Sequence, residues 1–307
     1  MKSFVILALL CAPAFANPTT EKSRLEVKPS GAPFKQLAIE NPLGDVKVVG
    51  YDGTAIQIET VKHAPDDDTL DRLRVALVPE NDGTVRIATS VDPAKEMKPV
   101  GRGAVRIDIV IHAPRAARID AATAAGKLEI ENLDAGAELD STSGEITVKN
   151  VSGELLTHSV SGMTSLTQVF GSVDAATISS NVDLDSINGE RLVASAHKGS
   201  IAGRRVRSRE IELSTTDGRI QLETEFALRG RLVVSSVRGD ITVQLRRATN
   251  AALRVKARGG KVDLGQPANL IERTAGWTVA TLGRPSDPSA AVELQSKYGI
   301  VSLAVIQ

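Results

Sequence analysis

The chain has 307 residues, with 37 Lys+Arg against 37 Asp+Glu, and only 3% of its residues are aromatic. A zero net charge and a single cysteine exclude a basic nucleic-acid binder and a disulfide-stapled domain. Five Phe, two Tyr and one Trp are too few to build the stacking platforms on which sugar- and nucleic-acid-binding surfaces lean.

The first residues read as an export signal. Lys2 gives a positive start, Phe4 to Leu10 form an apolar run, and Ala14-Phe15-Ala16 is a small-x-small cleavage site before Asn17. The run is shorter than the roughly 20 residues a membrane-spanning helix needs. Leu10 precedes Cys11 where a lipidation signal wants a small residue, so Cys11 belongs to the removed peptide of residues 1–16. The mature chain is then cysteine-free and has no second apolar stretch. It is large enough to bury a core without staples, and its expected place is the periplasm or the cell surface.

Residues 17–114 are expected to form a β-rich capping region. Strand-like runs fall at Gln36–Glu40, Asp45–Val49, Ala55–Val61, Val75–Val78, Thr84–Thr89 and Val105–His112. Among them Asp66-Asp67-Asp68-Thr69 precedes Leu70, Leu73 and Leu77, the pattern of a short N-capped helix with acids in its first turn. A Pro-, Lys- and Gly-rich loop is expected at Asp92–Gly103.

Residues 115–265 carry a repeat. Gly144, Gly153, Gly162 and Gly171 are nine apart, and Gly218, Gly239 and Gly260 are twenty-one apart. Two positions after most glycines stands an aliphatic residue, such as Leu128, Ile146, Leu155, Ile201, Ile220 or Ile241, often followed by another two further on. Period two puts both side chains on one face of a short strand. Small polar residues, such as Ser141-Thr142-Ser143 and Ser214-Thr215-Thr216-Asp217, precede the glycines, as turn backbone prefers; glycine there accepts a positive φ. One such strand cannot bury its apolar face alone, but stacked units cover each other. The fold class is therefore all-β, a parallel β-helix-like solenoid with eighteen to twenty-one residues per coil. An antiparallel sandwich or barrel is the alternative, with hairpins at Asp52-Gly53, Asp82-Gly83, Asn188-Gly189 and Asp217-Gly218. Residues 266–307, with Trp277 and strands at Ala291–Leu294 and Ile300–Val305, read as terminal coils and the far cap.

The segments Ile39-Glu40-Asn41-Pro42-Leu43-Gly44-Asp45-Val46, Gly50-Tyr51-Asp52-Gly53 and Ile111-His112-Ala113-Pro114, with the recurring Ser-x-Ser-Gly-x-Ile and Val-x-Gly-x-Leu, resemble the adhesin-like bacterial β-strand-repeat proteins. These are related to candidate autotransporter adhesin heads and are largely without assigned function. The resemblance covers nearly the whole mature chain and implies a β-solenoid-like domain on the outer side of the membrane. In some relatives it is linked with adhesion or envelope stress. It carries no catalytic residue. The chain differs from a true autotransporter in showing no membrane barrel and no cell-wall sorting signal.

The charge is uneven: 18 Lys+Arg face 26 Asp+Glu up to Asn188, and 19 face 11 beyond it, a net of −8 and then +8. The sharpest cluster is Arg204, Arg205, Arg207 and Arg209, which with Arg229, Arg231, Arg246 and Arg247 would line adjacent coils as an arginine ladder. Guanidinium forks suit phosphate and carboxylate, so lipopolysaccharide or another acidic envelope polysaccharide is the logical ligand. A protein partner, or the acidic half of a second copy, is the other. His63, His112, His158 and His197 share no metal spacing, and the glycines precede strands rather than helices, so no metal, cofactor or phosphate loop is expected. Asp183 and Asp185 point the same way from one strand, with Asp174 one repeat earlier. Such acids would serve a polysaccharide-acting β-helix enzyme, the alternative to a non-enzymatic surface for adhesion, scaffolding or binding. An enzyme needs its groups convergent, whereas these are spread along the chain.

Overall fold

The structure is a computed structural model. It describes residues 19–29, 32–80, 82–92, 104–225, 229–247, 250–265, 268–274, 276–283 and 290–306. The segment expected to be a signal peptide and nearly all of the loop expected at Asp92–Gly103 lie outside these residues.

Alternating aliphatic and polar residues make one strand after another. The N-terminal region holds β1 (Thr19–Val27), β2 (Gln36–Glu40), β3 (Val46–Tyr51), β4 (Ile56–Ala64), β5 (Leu73–Pro79), β6 (Thr84–Val91) and β7 (Arg106–Pro114). A short helix, α1 (Asp67–Leu70), is capped by Asp66, whose carboxylate accepts from the Thr69 N–H at 2.7 Å. The middle follows with β8 (Arg118–Thr123), β9 (Leu128–Leu133), β10 (Ala137–Ser141), β11 (Ile146–Ser152), β12 (Leu155–Ser159), β13 (Thr164–Phe170) and β14 (Val173–Thr177). Two long strands, β15 (Val182–Lys198) and β16 (Ile201–Asp217), precede β17 (Ile220–Glu225), β18 (Arg231–Arg238) and β19 (Ile241–Arg246). The chain ends in β20 (Ala251–Ala257), β21 (Val262–Leu264), β22 (Asn269–Thr274), β23 (Trp277–Leu282), β24 (Ala291–Ser296) and β25 (Val301–Ile306).

Through the middle of the chain, each strand pairs in parallel with the strand one coil away. On one side β8, β10, β12 and β14 run on into the second halves of β15 and β16 and then β18. On the other, β9, β11 and β13 run on into the first halves of β15 and β16, then β17 and β19. The protein is thus a β-solenoid, and the parallel ladder rules out the antiparallel sandwich. Of the four expected hairpin turns, Asp82-Gly83 alone joins antiparallel neighbours, β5 and β6. Asn188-Gly189 lies inside β15, while Asp217-Gly218 turns the corner from β16 into β17, which pair in parallel.

The core is one continuous aliphatic column from Phe34 to Leu303; each middle coil adds a set such as Ala137, Leu139, Ile146, Val148 and Val151, all 0% exposed. Both ends of the stack are interlocked. β2 lies between β6 and β8, and β3 between β7 and β9, so the first coil is wedged under a later one. At the far end β24 sits between β18 and β20, and β25 between β19 and β21, so the last coil is wedged under an earlier one. Antiparallel strands then cover the stack: β4 and β1 beyond β7, β5 beyond β6, and β23 and β22 beyond β20.

Candidate functional site

Two corners of the coil carry repeated chemistry. At the first, the inward Ser141 ends β10 and its hydroxyl accepts from the Gly144 N–H and donates to the Gly144 carbonyl, both at 2.8 Å. Ser159 repeats the arrangement with Gly162 one coil on, at 3.0 and 2.7 Å. The glycines stack: a Cβ on Gly144 would stand 1.5 Å from the Gly126 carbonyl oxygen, and one on Gly162 would stand 1.7 Å from that of Gly144. Gly144 and Gly162 do not have the positive φ expected of turn glycines; their lack of a side chain is what lets successive coils touch backbone to backbone.

Beside this corner runs a groove of about 820 Å³, crossing β8, β10, β12, β14, β15, β16 and β18. Six steps of about 4.8 Å make it roughly 29 Å long. One wall is the outward residue before the corner on each coil: Ala122, Asp140, His158, Ala176, Ser195, Ser214 and Ser235. The hollow exists because most of these side chains are small. Val160, Ile178 and Val237 form the other wall and are 43%, 50% and 37% exposed. The Asp140 carboxylate lies 3.4 Å from His158 Nδ1. Just outside, Lys198, Asp217 and Arg238 stack in register; the Arg238 guanidinium holds the Asp217 carboxyl below the usual carboxylate range. The hydropathy pattern gave no sign of this groove, since small residues at outward positions look like ordinary polar face.

The second corner is made by residues in left-handed conformation, Asn132, Asn150, Gln168, Ser186 and Arg205, with φ from 51° to 62°. The Asn150 Nδ2 donates to Asn132 Oδ1 at 2.7 Å, across one coil. Arg205 bonds Ser186 and Asp185. Arg205 and Arg207 share one hollow of about 300 Å³ with Arg246, Arg247, Glu223 and Glu225. Glu225 takes Arg207 Nε at 2.6 Å and Arg247 Nη1 at 3.2 Å, while Glu223 takes Arg246. Arginine and glutamate thus alternate from coil to coil.

The structure divides the predicted arginines. Arg205 and Arg207 come together with Arg246 and Arg247, and Arg204 precedes them on β16. Arg209 lies farther along β16 and pairs with Glu190 at 2.9 Å; Arg229 lies in the turn before β18 and Arg231 opens that strand, in register with Glu210. Asp183 and Asp185 do share one face of β15, but Asp174 is on β14 in the opposite side of the coil, because nine residues are half a turn. Asp185 is held by Arg205. No cluster of three or more His, Cys, Asp or Glu that could hold a metal ion occurs among the described residues. On the other sheet, burial pushes the Asp120 carboxyl up, and Glu138 and Asp140 add to it.

The family model described as Toastrack DUF4097 matches residues 60–275. The chain belongs to the Toastrack DUF4097 family. Its strand-repeat solenoid is similar to several solved structures. A candidate cell-adhesion protein of Clostridium sporogenes is 12% identical, over 94% of this chain and 100% of that one, with a TM-score of 0.27. Candidate adhesins of Bacteroides fragilis and Parabacteroides merdae are 14% and 10% identical over 94% of this chain, covering 97% and 96% of theirs, each with a TM-score of 0.39. No curated protein matches the chain in sequence. No helix among the described residues is long and apolar enough to cross a membrane.

Proposed function

We propose that the protein is an exported, non-enzymatic envelope or cell-surface protein whose coil stack binds an anionic envelope polymer. The observation that carries this reading is the hollow where four guanidiniums, of Arg205, Arg207, Arg246 and Arg247, surround two carboxylates, of Glu223 and Glu225. The glutamates hold Arg207, Arg246 and Arg247 in place, Asp185 holds Arg205, and one positive charge is left in excess. Exposed pairs of this kind are worth about 0–1 kcal/mol each, so a phosphate or carboxylate of a lipopolysaccharide or acidic glycan can displace them at little cost. The spread of acids along the coils supports the non-enzymatic part, since hydrolysis needs acid, base and substrate-positioning groups in one cleft.

The test incubates the chain from Asn17 to Gln307 with insoluble peptidoglycan and with lipopolysaccharide at low and high salt. Retained protein and released sugar are followed together. Retention that fades with salt and drops in R207E/R246E is the expected result, without fragments. Salt-insensitive retention would refute the anionic site. Fragments that vanish in D183N/D185N would make the protein an enzyme.

A further inference from the structure

The corner groove has a chemistry different from the arginine hollow. Its floor is named by hydroxyl residues yet presents carbon. The Ser141 and Ser159 hydroxyls are spent on Gly144 and Gly162, and that of Thr215 donates to the Gly199 carbonyl at 3.0 Å. The hydroxyl oxygens of Thr123 and Thr177 are covered and find no partner among the described residues. What the floor presents is the carbon of these side chains with Ala196, while the walls add the hydroxyls of Ser195, Ser214 and Ser235 and the imidazoles of His158 and His197. Val160 and Ile178 stand exposed on successive coils, and Val237 follows in the same column beyond His197 and Thr216.

No lysine or arginine lines the groove, and its single carboxylate, Asp140, faces His158. A charged polymer gains nothing there. No Phe, Tyr or Trp lines it either, which leaves a sugar ring without a broad stacking platform. Cations stand beside the groove at Lys198 and at Arg238, the latter paired with Asp217, and a further one stands beyond one end. Lys297 and Tyr298 form the next coil beyond Val237: their N–H groups donate to the Ser236 and Val237 carbonyls, each at 3.1 Å. The Lys297 ammonium lies 5.1 Å from the centre of the Tyr298 ring. An apolar trough ending on an ammonium is the complement of an anionic amphiphile.

We infer that this groove binds one linear aliphatic chain laid along the coil axis, with its carboxylate or phosphate head at Lys297. A volume of 820 Å³ lies within the usual range of small-molecule sites, roughly 300–1,000 Å³. The inference does not depend on the arginine hollow, which lies on the other side of the coil.

The purified chain from Asn17 is titrated calorimetrically with hexadecanoate and with a single-chain lysophospholipid, both below their micelle-forming concentrations, and sedimented with phosphatidylglycerol vesicles. All arms except the K297E comparison are run at high salt, where retention by the arginine hollow fades and binding along an apolar groove persists; K297E is compared at low salt in an R207E/R246E background. Saturable binding of hexadecanoate is expected. S195W and S214W fill the groove from its outward wall without touching the core, so each weakens binding at least about tenfold while the melting curve stays unchanged. K297E weakens the anionic ligands about two- to five-fold and leaves an uncharged long-chain alcohol unaffected. Hexadecanoate bound without vesicle sedimentation assigns a soluble amphiphile; co-sedimentation assigns a chain drawn from a bilayer. Absence of hexadecanoate binding, or binding that neither tryptophan substitution alters, overturns the inference. So does an uncharged glycan or peptide that binds in place of hexadecanoate and is lost with the same substitutions.

Discussion

Replacing Gly144 by Ala tests whether the glycine column sets the coil spacing. The new Cβ would stand 1.5 Å from the Gly126 carbonyl oxygen, while ordinary contact begins at 3.4 Å, so roughly 1.9 Å must be found. No side chain can swing away, because the obstacle is backbone. The bonds that fasten this corner to the preceding coil are Thr142 N–H to Thr123 O and Ser143 N–H to Ala124 O, both 3.1 Å, and Leu128 N–H to Glu145 O, 2.8 Å. Lengthening each by more than an ångström ends it as a hydrogen bond. Three bonds at about 1 kcal/mol and overpacking of about 1–3 kcal/mol make the expected loss about 4–6 kcal/mol.

Gly203 supplies the control. A Cβ there meets Leu222 Cδ1 at 2.8 Å and Val206 Cγ2 at 3.3 Å, both ends of side chains, so G203A should cost no more than about 1 kcal/mol. Urea unfolding followed by circular dichroism gives the difference. Amide exchange shows whether the loss is local, as a quasi-one-dimensional stack allows. A G144A protein within about 1 kcal/mol of the parent, or a G203A protein hit as hard, would refute the reasoning.

N150A should lose about 1–2 kcal/mol in thermal melts, since alanine resists a φ of 53° and the 2.7 Å bond to Asn132 goes; N150G should recover the backbone part. D120N should raise the melting temperature near pH 7. The Asp120 pKa is higher folded than unfolded, so its penalty is absent below the unfolded value and grows as pH rises through the folded one. The gain should therefore vanish near pH ~3, and a gain that persists there would contradict the burial argument. Ending the chain at Ala290 removes Val292, Leu294, Val301 and Leu303, each 0–2% exposed, or about 6–12 kcal/mol of burial. Limited proteolysis should then cut rapidly between β20 and β23, and a chain as resistant as the parent would show that the last coil is dispensable.

The repeat was legible because its period is physical: an aliphatic residue two places after each glycine must face inward, and Leu128, Ile146, Leu155, Ile201, Ile220 and Ile241 all do. The acids between the arginines were legible in principle. A coil of eighteen residues places Glu225 over Arg207, and the two are paired. The expected ladder stacked arginine on arginine and left out Glu223 and Glu225, which stand on the coil between them. The groove left no signal, because Ala176, Ser195 and Ser214 differ from a filled face only in volume. The interlocked ends left none either. Periodicity says which residues point inward, not which coil lies next to which.

Those ends explain why a ladder open in principle stops. A parallel stack presents unpaired N–H and C=O groups at each terminus, a template for further copies. Here the outermost parallel strands β6, β7 and β20 are covered by antiparallel β5, β4 and β23, which cannot continue the coil because their direction is reversed. β21, the outermost strand of the other side, is only three residues long. The wedged coils add a second restraint. β2 and β24 each have parallel neighbours on both sides, so neither terminus of the strand order can peel off without breaking two ladders. Fraying that would expose β14, β15 and β16, and with them both candidate binding corners, is thereby held to the caps, and the corners keep the fixed coil spacing on which their stacked side chains depend.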